Sequence, residues 1–120
     1  MAMINIGKDF HTDPAGRFYT DGEGSGEDFR ENKLLPTLQK LKPNEKVEII
    51  LDDDVEGYGS SFLVEGFAGI VKYGYMRNPE LLEKLQFHFQ DPDFEFYKDK
   101  IIQYINEAKF SSLKYVPSRK

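Results

Sequence analysis

Residues 47–75 read VEIILDDDVEGYGSSFLVEGFAGIVKYGY, and this stretch decides the fold. Residues 47–51 form a short apolar run with β-branched side chains, broken only by Glu48, which suits a strand covered on both faces. Three acids follow, Asp52, Asp53 and Asp54. Gly57 and Gly59 then permit a sharp bend that hands Ser60 and Ser61 to the start of a helix. There a hydroxyl can accept a bond from an unpaired first-turn amide, and the helix end favours an anion carried on that hydroxyl. Leu63, Phe67, Ile70, Val71 and Gly74 recur at the three-and-four spacing of one buried face. Gly66 and Gly69 each cost roughly 1 kcal/mol of helix propensity relative to alanine, so they predict close packing on the sheet or on a partner surface.

Outward from this stretch, residues 3–6 and 17–20 are β-type runs separated by Asp13-Pro14-Ala15-Gly16, which predicts a first pair of strands. Ser25, with Asp28 three residues on, has the form of a capping box. It opens a predicted helix that runs to about Leu41, with Leu34, Leu38 and Leu41 on its apolar face and a break or kink at Pro36. Asn78-Pro79 reads as a turn, and residues 85–89 alternate as a strand with one buried face. Asp91-Pro92 starts a last helix lined inside by Phe94, Tyr97, Ile101, Ile105 and Ala108. The sum is an α/β fold: one domain over residues 1–110, a small mixed sheet of about four strands with about three helices packed on it, then a tail over residues 111–120 with a basic end.

The 120 residues suffice for a single core without staples, and the absence of cysteine excludes disulfides, thiolate metal sites and a cysteine nucleophile. A net charge of −5 argues against a sequence-independent nucleic-acid binder, which needs a basic stripe. No apolar run approaches the about 18 residues a membrane span requires. Residues 1–10 carry Asn5, Lys8 and Asp9 where a signal peptide is apolar, so a cytoplasmic location and no membrane partner are expected.

The acidic trio invites a magnesium reading, but its spacing fits neither a haloacid-dehalogenase-type strand nor a receiver domain, and no metal is expected. The loop Gly22, Gly24, Gly26 lacks the Lys-Ser/Thr ending of a phosphate-binding loop and carries Glu23, Glu27 and Asp28, so it reads as a mobile helix entry. Arg17 and Arg30 flank it as candidate anion-binding groups, with surface ion pairs as the plainer role. His11 and His88 are the only histidines, which excludes a histidine metal cluster. Tyr58-Gly59-Ser60-Ser61-Phe62 is no Gly-x-Ser-x-Gly elbow, so no catalytic residue, no cofactor and no enzymatic activity are expected. His88 is read as a cross-strand residue on the polar face of its strand.

Several blocks in order, Gly16-Arg17-Phe18, Asp21-Gly22, Ser25-Gly26, Phe29-Arg30-Glu31, Leu35-Pro36-x-Leu38 and Gly57-Tyr58-Gly59-Ser60-Ser61-Phe62-Leu63 with Glu65, Gly66, Phe67 and Gly69, resemble a bacterial STAS-like domain family of unknown function. The resemblance covers about residues 10–89. More distantly, the chain is similar to the STAS domains of anti-sigma-factor antagonists, whose phosphorylatable serine starts the helix after a central strand. The resemblance implies a non-enzymatic signalling module in which Ser60 or Ser61 is the phosphoacceptor and a histidine-kinase-type ATPase is the protein partner. Partner contact is then expected along Asp52, Asp53, Asp54, Tyr58, Gly59, Phe62 and Glu65. Gly59 precedes and Phe62 follows the serines, where the antagonists carry an aspartate and a small residue. The alternative expectation is a small phosphate-, nucleotide- or metal-responsive sensor domain that uses the glycine loop, Arg17, Arg30 and the acidic turn. Oligomeric state is not legible in the sequence.

Overall fold

Apolar residues at alternate positions of three short strands form the floor of the core. Strands β1 (Ala2–Asn5), β2 (Val47–Ile50) and β3 (Leu85–His88) pair in parallel and in chain order, with Ile4 opposite Ile49 and Ile49 opposite Phe87. The structure, a computed structural model, describes residues 2–111 and 113–118. Arg119 and Lys120, the basic end of the expected tail, lie outside the described residues.

Helix α1 occupies residues 26–39, as Gly26–Phe29, a wide π-helical turn Arg30–Leu34, and Leu35–Gln39. Helix α2 occupies residues 60–72 with the same composition: Ser60–Leu63, a π-helical Val64–Ala68, and Gly69–Lys72. Helix α3 is Asn78–Lys84 and helix α4 is Glu95–Glu107, entered through a 3-10 turn at Pro92–Phe94. Among the described residues no helix is long and apolar enough to cross a membrane.

The α/β class is therefore as expected, but the sheet is all-parallel and three-stranded rather than mixed and four-stranded, and the helical segments outnumber the three expected. Two local reasons account for the difference. Residues 17–20 do not extend, because the Asp21 carboxylate accepts the N–H groups of Arg17 and Phe18 and folds Tyr19–Asp21 into a 3-10 turn. Asn78-Pro79 is not a turn but the opening of α3, where proline sits in the first helical turn and its missing N–H costs nothing. Leu81 is fully buried from that helix.

β2 is covered on one face only: Val47 and Ile49 are buried, while Glu48 and Ile50 are half-buried. A sheet wound in chain order with right-handed crossovers carries its helices on one side. The other side, with Met3 and Gln86 exposed, stays partly open. There His88 Nε2 comes within 2.7 Å of Glu48 Oε1, the cross-strand contact that the polar face of β3 predicts, though out of hydrogen-bond alignment.

The caps read from sequence are present. Ser25 accepts the Asp28 N–H at 3.2 Å, and Asp91 accepts the Asp93 N–H at 2.9 Å. Pro36 does not break α1, because the preceding π turn, with the Leu35 N–H bonded to the Arg30 carbonyl, widens the helix where the ring would clash. At the other end of α2, Gly74 takes φ +82, and the N–H groups of Gly74 and Tyr75 return to the carbonyls of Val71 and Ile70, a full Schellman stop.

Helix α2 buries Leu63, Phe67, Ile70 and Val71, and its glycines pack against α1. Phe29 and Phe62 stack at 5.4 Å between ring centres, and Phe29 and Phe67 at 5.3 Å. A β-carbon on Gly26 would stand 2.7 Å from the Phe62 carbonyl oxygen and 2.8 Å from the Gly66 nitrogen, both backbone atoms that cannot swing away. Gly26→Ala is therefore expected to cost about 2–3 kcal/mol through overpacking, read as a lower urea midpoint with an unchanged slope. A midpoint equal to wild type would show that the helices separate freely.

Candidate functional site

Helix α2 begins as a helix-breaking glycine hands over to two serines. Gly59 is the N-cap, in extended conformation, and its N–H is tied to the Pro14 carbonyl at 3.3 Å. Ser60 and Ser61 occupy the first helical positions, and neither side chain caps the helix. The expectation of a capping hydroxyl is thus not met, because the N-cap itself has no side chain with which to do it. Ser60 is exposed and Ser61 half-buried.

The two serines share a shallow depression with Gly59, Gly16, Arg17, Phe18 and Asp21. Two blocks more than forty residues apart in sequence, around Arg17 and around Ser60, therefore meet at one place. The loop that supplies Arg17 is held by backbone bonds from Ala15 to Gly24, from Gly26 to Gly16 and from Glu27 to Arg17. Gly24, Ser25 and Gly26 are buried among these bonds and form a packed support, while Gly22 and Glu23 stay exposed at the turn before them. Asp21, on the rim, is held below the usual carboxylate range by the N–H groups of Phe18 and Arg17.

Arg17 reaches inward from the depression to Glu65, with Nη1 3.4 Å from Oε1. Glu65 lies one turn beyond Ser61 and is fully buried. Its other oxygen accepts Arg30 Nη1 at 2.9 Å and the Tyr73 hydroxyl at 2.5 Å, and its main-chain carbonyl accepts Arg30 Nη1 at 2.8 Å. Arg30 Nε donates to Glu31 at 2.7 Å. Burial works against the Arg30 charge, but bonds to Glu31 and Glu65 more than offset it and raise its pKa. Burial, then the bond to Glu65, likewise pushes the Tyr73 hydroxyl well above the ordinary tyrosine range.

Arg30 is thus not the accessible anion-binding group that its place beside the glycine loop suggests. It is fully buried, its guanidinium 4.6 Å from the Tyr73 ring centre and 4.8 Å from that of Tyr115. A β-carbon on Gly69 would lie 2.6 Å from Nη1, so this glycine makes the room for the guanidinium. Among the described residues Nη2 has no hydrogen-bond partner.

The remaining elbow residues are divided. Asp52 accepts the N–H groups of Gln90 and Asp91 at 2.7 and 2.8 Å and so fixes the entry to α4. Asp53 accepts from Asn5 at 2.8 Å and lies 3.5 Å from Lys8. Asp54 is exposed, at φ +65, and with Glu56 lines a separate depression beside Thr12 and Asp13. Phe62 is buried, and Tyr58 donates to the Leu51 carbonyl at 2.6 Å, its hydroxyl pushed up first by burial and then by Asp52. Among the described residues no cluster of three or more metal-ligating side chains forms.

The sequence reading overlooked Glu27 as a constructive residue. It is fully buried and accepts the Tyr19 N–H at 2.9 Å, the Tyr115 hydroxyl at 2.7 Å, the Ser118 N–H at 2.9 Å and the Ser118 hydroxyl. Burial pushes its pKa up, but the Ser118 hydroxyl and N–H, then Tyr19 and Tyr115, win and hold it below the ordinary value. The available signal was the spacing of Glu27 and Arg30, which puts both on one face of α1. Neither the family models, nor the curated proteins, nor the solved structures contain a match to this chain.

Truncating Glu65 to alanine strands the Arg30 charge in the interior and is expected to cost about 3–5 kcal/mol by urea unfolding. Arg17→Ala, at a half-exposed partner of the same carboxylate, is expected to cost under about 1 kcal/mol. Because the folded-state pKa of Glu27 is lowered, its contribution is complete above its ordinary value of 4.5 and is lost as pH falls through the folded value. The stability gap between wild type and Glu27→Gln should therefore be widest near neutrality and close in acid. A gap independent of pH would mean that the carboxylate charge is not what binds.

Proposed function

We propose that this chain is a non-enzymatic, STAS-like regulatory module that binds a protein partner through the elbow at the start of α2, with Ser60 or Ser61 as phosphoacceptor and a histidine-kinase-type ATPase as the partner, in a bacterial cytoplasmic signalling system. The observation that carries this reading is the placement of two serines, free of capping duty, at the first turn of α2 and in one depression with Arg17. A phosphate there would add about −1.5 to −2 charges at a helix end that favours anions, beside a guanidinium able to pair with it. Asp21, on the same rim, opposes it. Seen from the partner, the change is a reversal of local charge on a surface whose backbone is fixed by the bonds of residues 14–17, 24, 26 and 59.

The alternative, a small phosphate-, nucleotide- or metal-responsive sensor, has less support. Arg30 is engaged inside the core, the glycine loop is packed, and Asp52 and Asp53 are committed to backbone and side-chain partners. Among the described residues that line the depression, Arg17 is the one cation, and it already contacts Glu65.

Incubation with ATP and the histidine-kinase-type ATPases of the same organism should add the mass of one phosphate to the wild-type chain and none to a Ser60→Ala, Ser61→Ala double variant. Because both serines are on the surface side of the helix start, the double variant should keep wild-type stability. Transfer that persists in the double variant, or no transfer to the wild type from any of these ATPases, would overturn the switch.

A further inference from the structure

We infer that residues 113–118 are a releasable strap laid over Arg30, its far end fastened chiefly to the Glu27 carboxylate. The segment leaves α4 through Ser111, which stands in the left-handed region at φ +55, and is rooted by bonds from the Ser111 and Leu113 N–H groups to the carbonyls of Val71 and Lys72. At its far end, Tyr115 and Ser118 both bind Glu27, through two hydroxyls and one N–H. Ser118 Oγ also accepts the Tyr19 N–H at 3.1 Å. The Tyr115 ring covers Arg30 and meets Tyr73 edge-on at 5.3 Å.

The orientation of the side chains separates a strap from a core element. A segment held by apolar burial turns its hydrophobic residues inward. Here Leu113 is 52% and Val116 74% exposed, while the phenol and the serine point in. The attachment at the far end is mainly polar and concentrates on Glu27, so removing that carboxylate loosens the segment beyond Leu113, whose own N–H stays bonded to Lys72. Beneath it lie the Glu27 carboxylate, the face of Arg30, whose Nη2 has no hydrogen-bond partner among the described residues, and the Tyr73 ring. Release therefore needs no unfolding of α1 or α2, and Leu113 and Val116 offer an apolar handle from outside.

Hydrogen exchange across a low range of urea on the full chain tests this. The hydrogen-bonded amides of the segment, Leu113 and Ser118, should be protected relative to an unstructured peptide of that sequence, yet exchange faster than those of residues 62–70 and with a weaker dependence on urea, the mark of local opening. Glu27→Gln should speed exchange of the strap by at least roughly tenfold, as expected for the loss of charged hydrogen bonds, with the strap keeping its weaker urea dependence and residues 62–70 speeding up by no more than the global stability lost. Tyr115→Phe, which keeps the ring and loses one bond, should give a smaller acceleration and serves if Glu27→Gln does not fold. Strap amides that exchange together with those of α2, with no protection at all, or equally in the wild type and both variants, would each overturn the inference.

Discussion

A guanidinium buried between two helices is the constraint on which the rest of the structure turns. Desolvating a charge costs several kcal/mol even after relaxation, so Arg30 is tolerated only where its partners are fixed in place. Glu65 supplies a carboxylate and a carbonyl, Glu31 a second carboxylate, and Tyr73 and Tyr115 two aromatic faces. The partners come from α1 itself, from α2 and its end, and from the C-terminal segment. Meeting them all requires α1 and α2 to cross closely, which Gly26 and Gly69 permit, and it requires both helices to widen at the crossing, where Arg30 opens one π turn and Glu65 lies in the other. Such turns are uncommon and concentrate at sites with a function.

The same constraint connects surface and interior. Glu65 receives Arg17 from the depression that holds the serines and Arg30 from the core. Arg30 in turn lies under Tyr115, and Glu27, one turn before it on α1, holds the end of the chain. The elbow and the C-terminal segment are thus joined by a continuous run of charged and aromatic contacts. Contiguity alone does not establish energetic coupling. Glu65 is one junction of that run, and the bond from the Glu27 N–H to the Arg17 carbonyl is another.

Much of this was legible in the sequence, and the reasons for the exceptions are physical. Periodicity located β2, β3 and the inner face of α2, and cap chemistry located Ser25 and Asp91, because these depend on neighbours within a turn or two. Asn78-Pro79 misled because the same dipeptide serves a turn and a helix start, and only the burial of Leu81 decides between them. Residues 17–20 misled because a β-type run was captured by one side chain, that of Asp21. Arg30 was read as a surface charge since nothing local announces its partners: Glu65 is thirty-five positions away and Tyr115 farther still. The depression around Ser60 and Ser61 could be suspected from its glycines, but the arrival of Arg17 could not.

The one-sided winding of the sheet has a last consequence. A parallel sheet ordinarily hides both surfaces, whereas this one shows the solvent a row that includes Met3, Ile50 and Gln86, with Glu48 and His88 set among them. Those two polar side chains keep an otherwise sticky plane hydrated. Polar groups set into an open sheet face make the edge-to-edge and face-to-face pairing of sheets less favourable, a consequence for solution behaviour and not for the architecture on the opposite side.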